Sequence, residues 1–402
     1  MFDFFRDRKI LVCVTGGIAA YKTLDIVSNL RKCGADIRVV MTRNACRFVT
    51  PLSFEAVSGA RVYYDMWDRN SHDIDHISLK DFPDITIVAP ASADIIGKFT
   101  SCIADDLLST TLLGIKTPIF FFPSMNTDMY DNVFFRECLN KLKNNGYHVV
   151  EPDEGHLACG VSGKGRMPSC QSILQSVESA LSDNLPLKGK KVMITLGATR
   201  EYFDKARFLS NPSTGKMGAS LAGAFRKNGA EVIVVAAHNE VDLSGFDRID
   251  VVSAVDMYEA VTKNISGQDI FVATAAVCDF RPTEVIRGKI KKHEQDLSST
   301  VFSTNPDILK DVCAMPDRPP LCVGFAAEAE SVEENGRKKL MSKKADIIVA
   351  NSITDSDGGF ASDDNKVLIL TETHTESLGP DTKYNIAEGI VGFIADVLNN
   401  KN

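Results

Sequence analysis

The sequence predicts an α/β protein built from two Rossmann-like, doubly wound domains in series. Three observations carry this expectation. Short apolar runs rich in β-formers alternate with helical patterns along the chain, the mark of βαβ units around a mainly parallel sheet. The pattern restarts near the middle, where KVMITLGATR at 191–200 echoes KILVCVTGGIA at 9–19. The length of 402 residues also exceeds what one core usually supports. We place the domains at residues 1–187 and 188–402.

Taken in order, KILVCV (9–14), DIRVVM (36–41), DITIVA (84–89) and PIFFF (118–122) read as the strands of the first domain. A helix from about Ala20 carries Leu24, Val27 and Leu30 at helical spacing, with Gly34 where a C-terminal cap is expected. Residues 151–169, EPDEGHLACGVSGKGRMPS, read as a long irregular segment of the kind that is functional or disordered in compact domains. A helix from Ser172 to Leu181 closes the domain, and SDNLPLKGK at 182–190 reads as a linker. EVIVVA, DIFVATAA, LCVGFAAE and DIIVAN supply further strands of the second domain.

Composition narrows the function. Forty-four per cent hydrophobic and 24% charged residues are those of an ordinary globular protein. Lys and Arg total 45 against 53 Asp and Glu, and the net charge of −8 argues against nucleic acid or an anionic membrane as partner. The apolar run Ile10 to Ala20 is too short to span a bilayer. Ten cysteines scattered without a CxxC pair imply the reducing cytoplasm.

Several segments could carry chemistry, each beside a plainer role. TGGIAAYK (15–22) follows a buried strand and opens a helix, so Gly16, Gly17 and Ile18 could turn backbone N–H groups toward a flavin or nucleotide phosphate; a tight βα turn is the alternative. APASAD (89–94) places small residues at another strand end, where open sheets bind ligands. HDIDHI (72–77) and HLACG (156–160) suggest zinc, but the spacing is poor, and satisfied surface or core histidines are the better account of His72 and His156. PSMNTDMY (123–130) offers Asn126 and Met129, or simply a helix capped by Ser124 or Asn126. In the second half, Ser213, Thr214 and Gly215 precede a helix with a Met217, Leu221, Phe225 core stripe, forming an anion site that lacks the first Gly of a P-loop. Arg287, Lys289 and Lys291 would share one face of an extended segment, either for a phosphate or as a lysine-protected edge strand. Asn305 and Pro306 read as a helix start, and Lys339 and Lys343 share a helix face that meets a triphosphate or water.

HIS (76–78), PSMN (123–126) and ACG (158–160), with TGGIAAYK, resemble the flavin-dependent cysteine decarboxylases. Together with SNPSTGKMG, AAVCDF, KIKK, NPDIL and GFAAE in the second half, the chain resembles over nearly its full length the bifunctional phosphopantothenoylcysteine decarboxylase/phosphopantothenate-cysteine ligase family of coenzyme A biosynthesis. The resemblance implies a flavodoxin-like FMN decarboxylase domain followed by a nucleotide-binding ligase domain. It implies that His76 acts beside the flavin, that Asn126 with Met129 binds the substrate and its carboxylate, and that Cys159 donates a proton. Gly16, Gly17, Ile18, Ala19, Thr42, Ala91, Ser92, Ala93, Asp94 and Ser124 would contact FMN. In the ligase half Asn211 would help form an acyl-cytidylate, Lys289 would assist its capture by cysteine, and Arg207 would bind phosphopantothenate. CTP, with Mg²⁺, would lie along Ala273, Thr274, Ala275, Asp279, Lys289, Asn305, Pro306, Asp307, Ile308, Phe325, Lys339 and Lys343. Threefold contacts of decarboxylase domains and twofold contacts of ligase domains would build a homo-oligomer, a dodecamer being our expectation. Ser78, Ser124, Pro212 and Lys205-Ala206 depart from the family's usual Glu, Ala, a different residue after Asn211, and Pro-Val.

The chemistry fits these residue types. A carboxylate beside an amide leaves only if electrons have somewhere to go, and oxidation of the neighbouring thiol carbon by a flavin supplies that sink. The enethiolate left behind needs a hydride and a proton, which a thiol can give. Ligation needs a leaving group on the carboxylate, supplied by CMP, with cations offsetting triphosphate charge. Two rivals compete with this expectation. An NAD(P)-dependent oxidoreductase lacks its GxGxxG here, and a decayed nucleotide-binding regulator would not be expected to keep both His76 and Cys159.

Overall fold

The first half of the chain builds one parallel sheet from β1 (Lys9–Val14), β2 (Asp36–Met41), β3 (Val62–Tyr63), β4 (Ile85–Ala91), β5 (Ile119–Pro123) and β6 (His148–Val149). The computed structural model describes residues 3–67, 74–156, 162–286, 288, 300–328, 330–352 and 364–400. These fall into two compact units, Met1–Asp183 and Asn184–Asn402.

The first sheet runs in the order β3-β2-β1-β4-β5-β6. Set aside the two-residue β3 and the order, renumbered, is the 2-1-3-4-5 of flavodoxin-like sheets. Its helices are α1 (Thr23–Lys32), α2 (Pro51–Ser58), α3 (Asp75–Lys80), α4 (Ala93–Thr100), α5 (Leu107–Gly114), α6 (Thr127–Tyr130), α7 (Val133–Asn144) and α8 (Cys170–Ser182). Alternation along the strands explains the two helical layers. Ile10, Val12, Val14, Phe120 and Phe122 pack with Ile26 and Leu30 of α1 and Ile173 and Val177 of α8. Leu11, Cys13 and Phe121 point the other way, onto Ile95 of α4, Leu112 of α5 and Leu139 of α7. Each buried phenylalanine stabilises the unit by about 1.5–3 kcal/mol.

Three expectations are corrected in this unit. The first helix begins at Thr23, not near Ala20, after a 3-10 turn over Ile18–Lys22; the buried Thr23 hydroxyl donates to Ala89 O at 2.8 Å and pins the helix start to β4. The closing helix begins at Cys170 because Ser169 Oγ caps Ser172 N at 3.1 Å. The segment 151–169 is not irregular throughout: β7 (Asp153–His156) and β8 (Ser162–Arg166) form an antiparallel hairpin. Its glycines permit close approach. A Cβ at Gly163 would meet Thr127 Oγ1 at 2.5 Å, and one at Gly165, where φ is +153°, would meet Met125 O at 2.2 Å.

Glu151 locks this hairpin to the sheet's helical layer. Its carboxylate takes Lys164 of β8 at 2.8 Å, Lys143 of α7 at 2.7 Å and the buried Tyr130 hydroxyl of α6. Burial alone would raise the Glu151 carboxyl, but hydrogen bonds from Lys143, Lys164 and Tyr130 outweigh it and hold the group at about 2, below its ordinary 4.5. A depressed carboxyl contributes stability above the unfolded value and loses it as the folded value is approached from above. The stabilising difference between native protein and Glu151→Gln should therefore be full above pH 4.5 and vanish between 4.5 and about 2. Melting midpoints of both proteins across that window read it; a gap that does not shrink on acidification contradicts the clamp. At 38% side-chain exposure the effect is modest.

The second unit repeats the plan. Its strands are β9 (Lys191–Leu196), β10 (Arg200–Tyr202), β11 (Phe208–Ser210), β12 (Glu231–Ala236), β13 (Asp247–Asp250), β14 (Ile270–Ala273), β15 (Phe280–Pro282), β16 (Phe302–Thr304), β17 (Leu321–Glu328), β18 (Ile347–Ser352), β19 (Asp364–Leu370) and β20 (Thr375–Thr382). Helices are α9 (Lys216–Lys227), α10 (Ala254–Asn264), α11 (Ile308–Ala314), α12 (Val332–Lys343) and α13 (Lys383–Asn400). The sheet order is β13-β12-β9-β14-β17-β18-β19-β20, parallel through β18 and antiparallel for the last two strands. Its six parallel strands, counted within the unit, run 3-2-1-4-5-6, the order of the first unit. Val192, Ile194 and Leu196 face α9 and α13, while Met193 and Phe271 face α10 and α11. Leu187, at the expected linker, is fully buried in this core and its N–H donates to Asn228 O at 3.0 Å, so that part of 182–190 is packed structure and not a tether.

Candidate functional site

In the first unit the carboxyl ends of β1, β2, β4 and β5 open onto a cavity of about 700 Å³. Gly16, Gly17, Ile18, Ala19 and Thr42 line one side, and Ser92, Ala93, Asp94, Ser124, Asn126 and Met129 the other. Ala91 ends β4 fully buried just behind them. Thr15 ties the two small-residue loops together, its hydroxyl donating to Pro90 O at 2.6 Å and accepting from Ser92 N at 2.9 Å. Gly16 is required by packing, since a Cβ there would meet Asn44 Cβ at 2.5 Å, whereas a Cβ at Gly17 would find nothing nearer than Pro90 at 3.9 Å. The loop thus offers bare backbone to the cavity. Asn126 caps α6, accepting from Asp128 N at 2.8 Å. Lys98 braces Asp94 from 3.5 Å; burial lowers its affinity for the proton, but Asp105, Asp106 and Asp94 together hold it above its ordinary value.

Lys22 and Arg166 also line this cavity, and sequence inspection did not single them out. Burial, then the Arg166 charge, push the Lys22 amine below its usual value, with Asp153 opposing. Lys22 ends TGGIAAYK, whereas Arg166 reaches the cavity through the β7/β8 hairpin, which the sequence does not signal.

His76 is not among the residues lining the cavity. It lies on α3, which the sequence did not mark as helical, beside the exposed Ile77 and just after the exposed Ile74. His72, Cys159 and Lys289, with Arg287 and Lys291, lie outside the described residues. Among the described residues no three His, Cys, Asp or Glu side chains gather as a metal site.

The second unit has a cavity of about 600 Å³ at the carboxyl ends of β9, β14 and β17. Asn211, Ala273, Thr274, Ala275, Asp279, Asn305, Pro306, Asp307, Ile308, Phe325, Lys339 and Lys343 all line it. Thr274 Oγ1 donates to Thr195 O at 2.6 Å, and Gly218 lets α9 descend onto this point, for a Cβ there would meet Leu196 Cβ at 2.5 Å and Thr274 Oγ1 at 2.6 Å. Asn211 Nδ2 reaches Val277 O at 3.3 Å. The cap of α11 is Asp307 and not Asn305, because the Asn305 amide is committed to Cys278 O and Arg281 at 2.8 Å each. Lys343 is paired with Asp307, and Lys339 with Glu328 at 2.7 Å, so neither simply faces water. Arg207 is absent from the lining; it sits in the turn between β10 and β11. Lys216, Asn351 and the buried Asn365 and Lys383 line the cavity without having been anticipated. Lys216 lies within SNPSTGKMG, but Asn365 of the antiparallel strand β19 and Lys383 at the start of α13 come from a stretch that carries no sequence signal.

Residues 5–182 match the Flavoprotein family, and residues 187–398 match the family described as DNA/pantothenate metabolism flavoprotein C-terminal domain. Fold, cavities and matches together define a two-domain α/β flavoprotein. The chain is 42% identical over 397 residues to the coenzyme A biosynthesis bifunctional protein CoaBC of Bacillus subtilis (strain 168), covering 97% of each, and 39% identical over 393 residues to that of Haemophilus influenzae (strain ATCC 51907 / DSM 11121 / KW20 / Rd), again 97% of each. It belongs to the family of coenzyme A biosynthesis bifunctional proteins. The crystal structure of a C-terminal domain of CoaBC is 34% identical, with a TM-score of 0.46, covering 54% of this chain and 100% of that one. Among the described residues no helix is long and apolar enough to cross a membrane.

Proposed function

We propose that this enzyme of coenzyme A biosynthesis, a ligase and decarboxylase, joins cysteine to 4'-phosphopantothenate with CTP in residues 188–402, and decarboxylates the 4'-phosphopantothenoylcysteine so formed to 4'-phosphopantetheine in residues 1–187. The supporting observation is convergence: segments as far apart as Gly16 and Met129 meet on one cavity, and Asn211 and Lys343 on the other, each at the strand ends where open α/β sheets bind ligands.

The first cavity suits FMN. Bare backbone at Gly17, small residues through Ser92 and Ala93, and a volume within the usual range for cofactor pockets leave room for a flat ring system. Gly16 to Ala19, Thr42, Ser92 to Asp94 and Ser124 would hold it, with the buried Ala91 backing them, and Lys22 and Arg166 bring positive charge for a phosphate. When bound, FMN takes up and returns an electron pair. Asn126 would hold the departing carboxylate through its amide, with Met129 closing the apolar side. Cys159 would deliver the final proton. His76, outside the cavity lining on a helix beside exposed isoleucines, would serve the site of another copy, consistent with threefold contacts. With twofold contacts between ligase domains, the closed assembly would be a dodecamer.

In the second cavity, Gly215 precedes α9 without a side-chain cap, and Lys216 is the first residue of the helix, an arrangement favourable to phosphate. CTP would extend from there along Ala273 to Ala275, Asp279 and Asn305 to Ile308 toward Phe325, Lys339 and Lys343. Mg²⁺ would be carried chiefly by the triphosphate, as is usual for this ion. Asn211 would steady the acyl-cytidylate as it forms, Arg207 would hold phosphopantothenate, and Lys289 would aid transfer to the cysteine amine.

The purified protein should show the visible spectrum of oxidised FMN, release pyrophosphate from CTP only when phosphopantothenate is present, and scatter light as a closed oligomer. A colourless protein would sink the decarboxylase assignment. Equal use of ATP and CTP would sink the nucleotide assignment, and a monodisperse monomer with full flavin occupancy would sink the assembly.

A further inference from the structure

Between β10 and β11 the chain turns through Phe203–Arg207 around a carboxylate removed entirely from solvent. The Asp204 side chain is 0% exposed. Its Oδ1 accepts the N–H groups of Ala206 and Arg207, both at 2.7 Å, and its Oδ2 accepts from Arg207 Nη1 at 2.7 Å. Phe203 N–H closes the turn onto Arg207 O at 2.9 Å. Burying a carboxylate is costly unless charge and hydrogen bonds compensate it, so a turn built this way has one well-defined shape.

The outer side of the same turn makes a second connection. Ile286 N–H donates to Phe203 O at 3.0 Å, and Lys205 N–H donates to Gly288 O at 3.0 Å. These two backbone bonds tie the turn to Ile286 and Gly288. Phe203 adds an edge-on ring contact to Phe302 at 6.0 Å.

We propose that Asp204 is a positioning residue of the ligase: by fixing the Phe203–Arg207 turn it orients the Arg207 guanidinium. The proposal rests on the role given above to Arg207. It explains why a buried acid stands where neither cavity needs one. It also gives the departure at Lys205 a physical meaning, because a proline there has no N–H to give Gly288.

In Asp204→Asn the amide oxygen can still accept from Ala206 and Arg207, but the NH₂ replaces an acceptor facing Arg207 Nη1, so the turn survives and the arginine loses this contact. The KM for phosphopantothenate should rise at least tenfold while the KM for CTP stays within twofold. A merely structural Asp204 would raise both KM values together, and that outcome, or an unchanged KM for phosphopantothenate, overturns the proposal. Arg207→Ala is assayed in parallel. If it too leaves that KM unchanged, the role of Arg207 itself is wrong; if it raises the KM and Asp204→Asn does not, only the positioning role fails.

Discussion

Cys159→Ser enzyme is expected to release carbon dioxide yet fail to complete turnover, with the yellow absorbance of the oxidised flavin bleaching and an enethiol product accumulating. A serine hydroxyl is a far weaker acid than a thiol, and losing a positioned proton donor costs about 10²–10⁴ in rate. His76→Asn should behave in the opposite sense, stalling before decarboxylation with the absorbance unchanged. Stopped-flow absorbance with quantified carbon dioxide distinguishes the two. Full reductive turnover by Cys159→Ser would remove that residue from the mechanism.

In the ligase half, Asn211→Asp should cut phosphopantothenate-dependent pyrophosphate release by about 10²–10³, the usual scale for one preorganised donor. The native amide donates to Val277 O at 3.3 Å and faces a cavity that already contains Asp279 and Asp307. The substitution exchanges a donor for a charge that repels both a bound carboxylate and a triphosphate. Lys289→Gln should instead allow the acyl-cytidylate to form and slow its capture by cysteine. Quench-flow with labelled CTP reads both steps, and normal overall ligation by either variant would contradict its assignment.

Much of the fold was legible because parallel strands buried on both faces announce themselves as near-continuous apolar runs. PIFFF and DIIVAN are unmistakable for that reason, and the small-residue loops after β1 and β4 marked the first cavity. What was not legible depended on contacts distant in sequence. The β7/β8 hairpin has a composition of loop, since its glycines serve close approach to Met125 and Thr127 and only the folded unit reveals the need. Asn365 at the start of β19 and Lys383 at the start of α13 reach the cavity only through the folded unit, far in sequence from its other lining residues, so nothing local marks them as cavity residues. Asp204 was passed over because nothing local distinguishes a buried aspartate from a solvated one; its burial is decided by the turn it closes.

Two sheets with the same order of parallel strands on one polypeptide present a hazard during synthesis, when a strand of one could be captured by the border of the other. The strands at the borders are unsuited to that capture. In the first unit they are β3 and β6, two residues each, which offer too few free backbone groups to template a partner. In the second they are β13, whose sequence DRID is largely exposed and charged, and β20, which carries Pro380 among acidic and polar side chains. Each unit can therefore close its own sheet as it leaves the ribosome, without recruiting its sibling or a neighbouring nascent chain, so a polypeptide holding two similar architectures escapes misassembly and aggregation at the sheet borders.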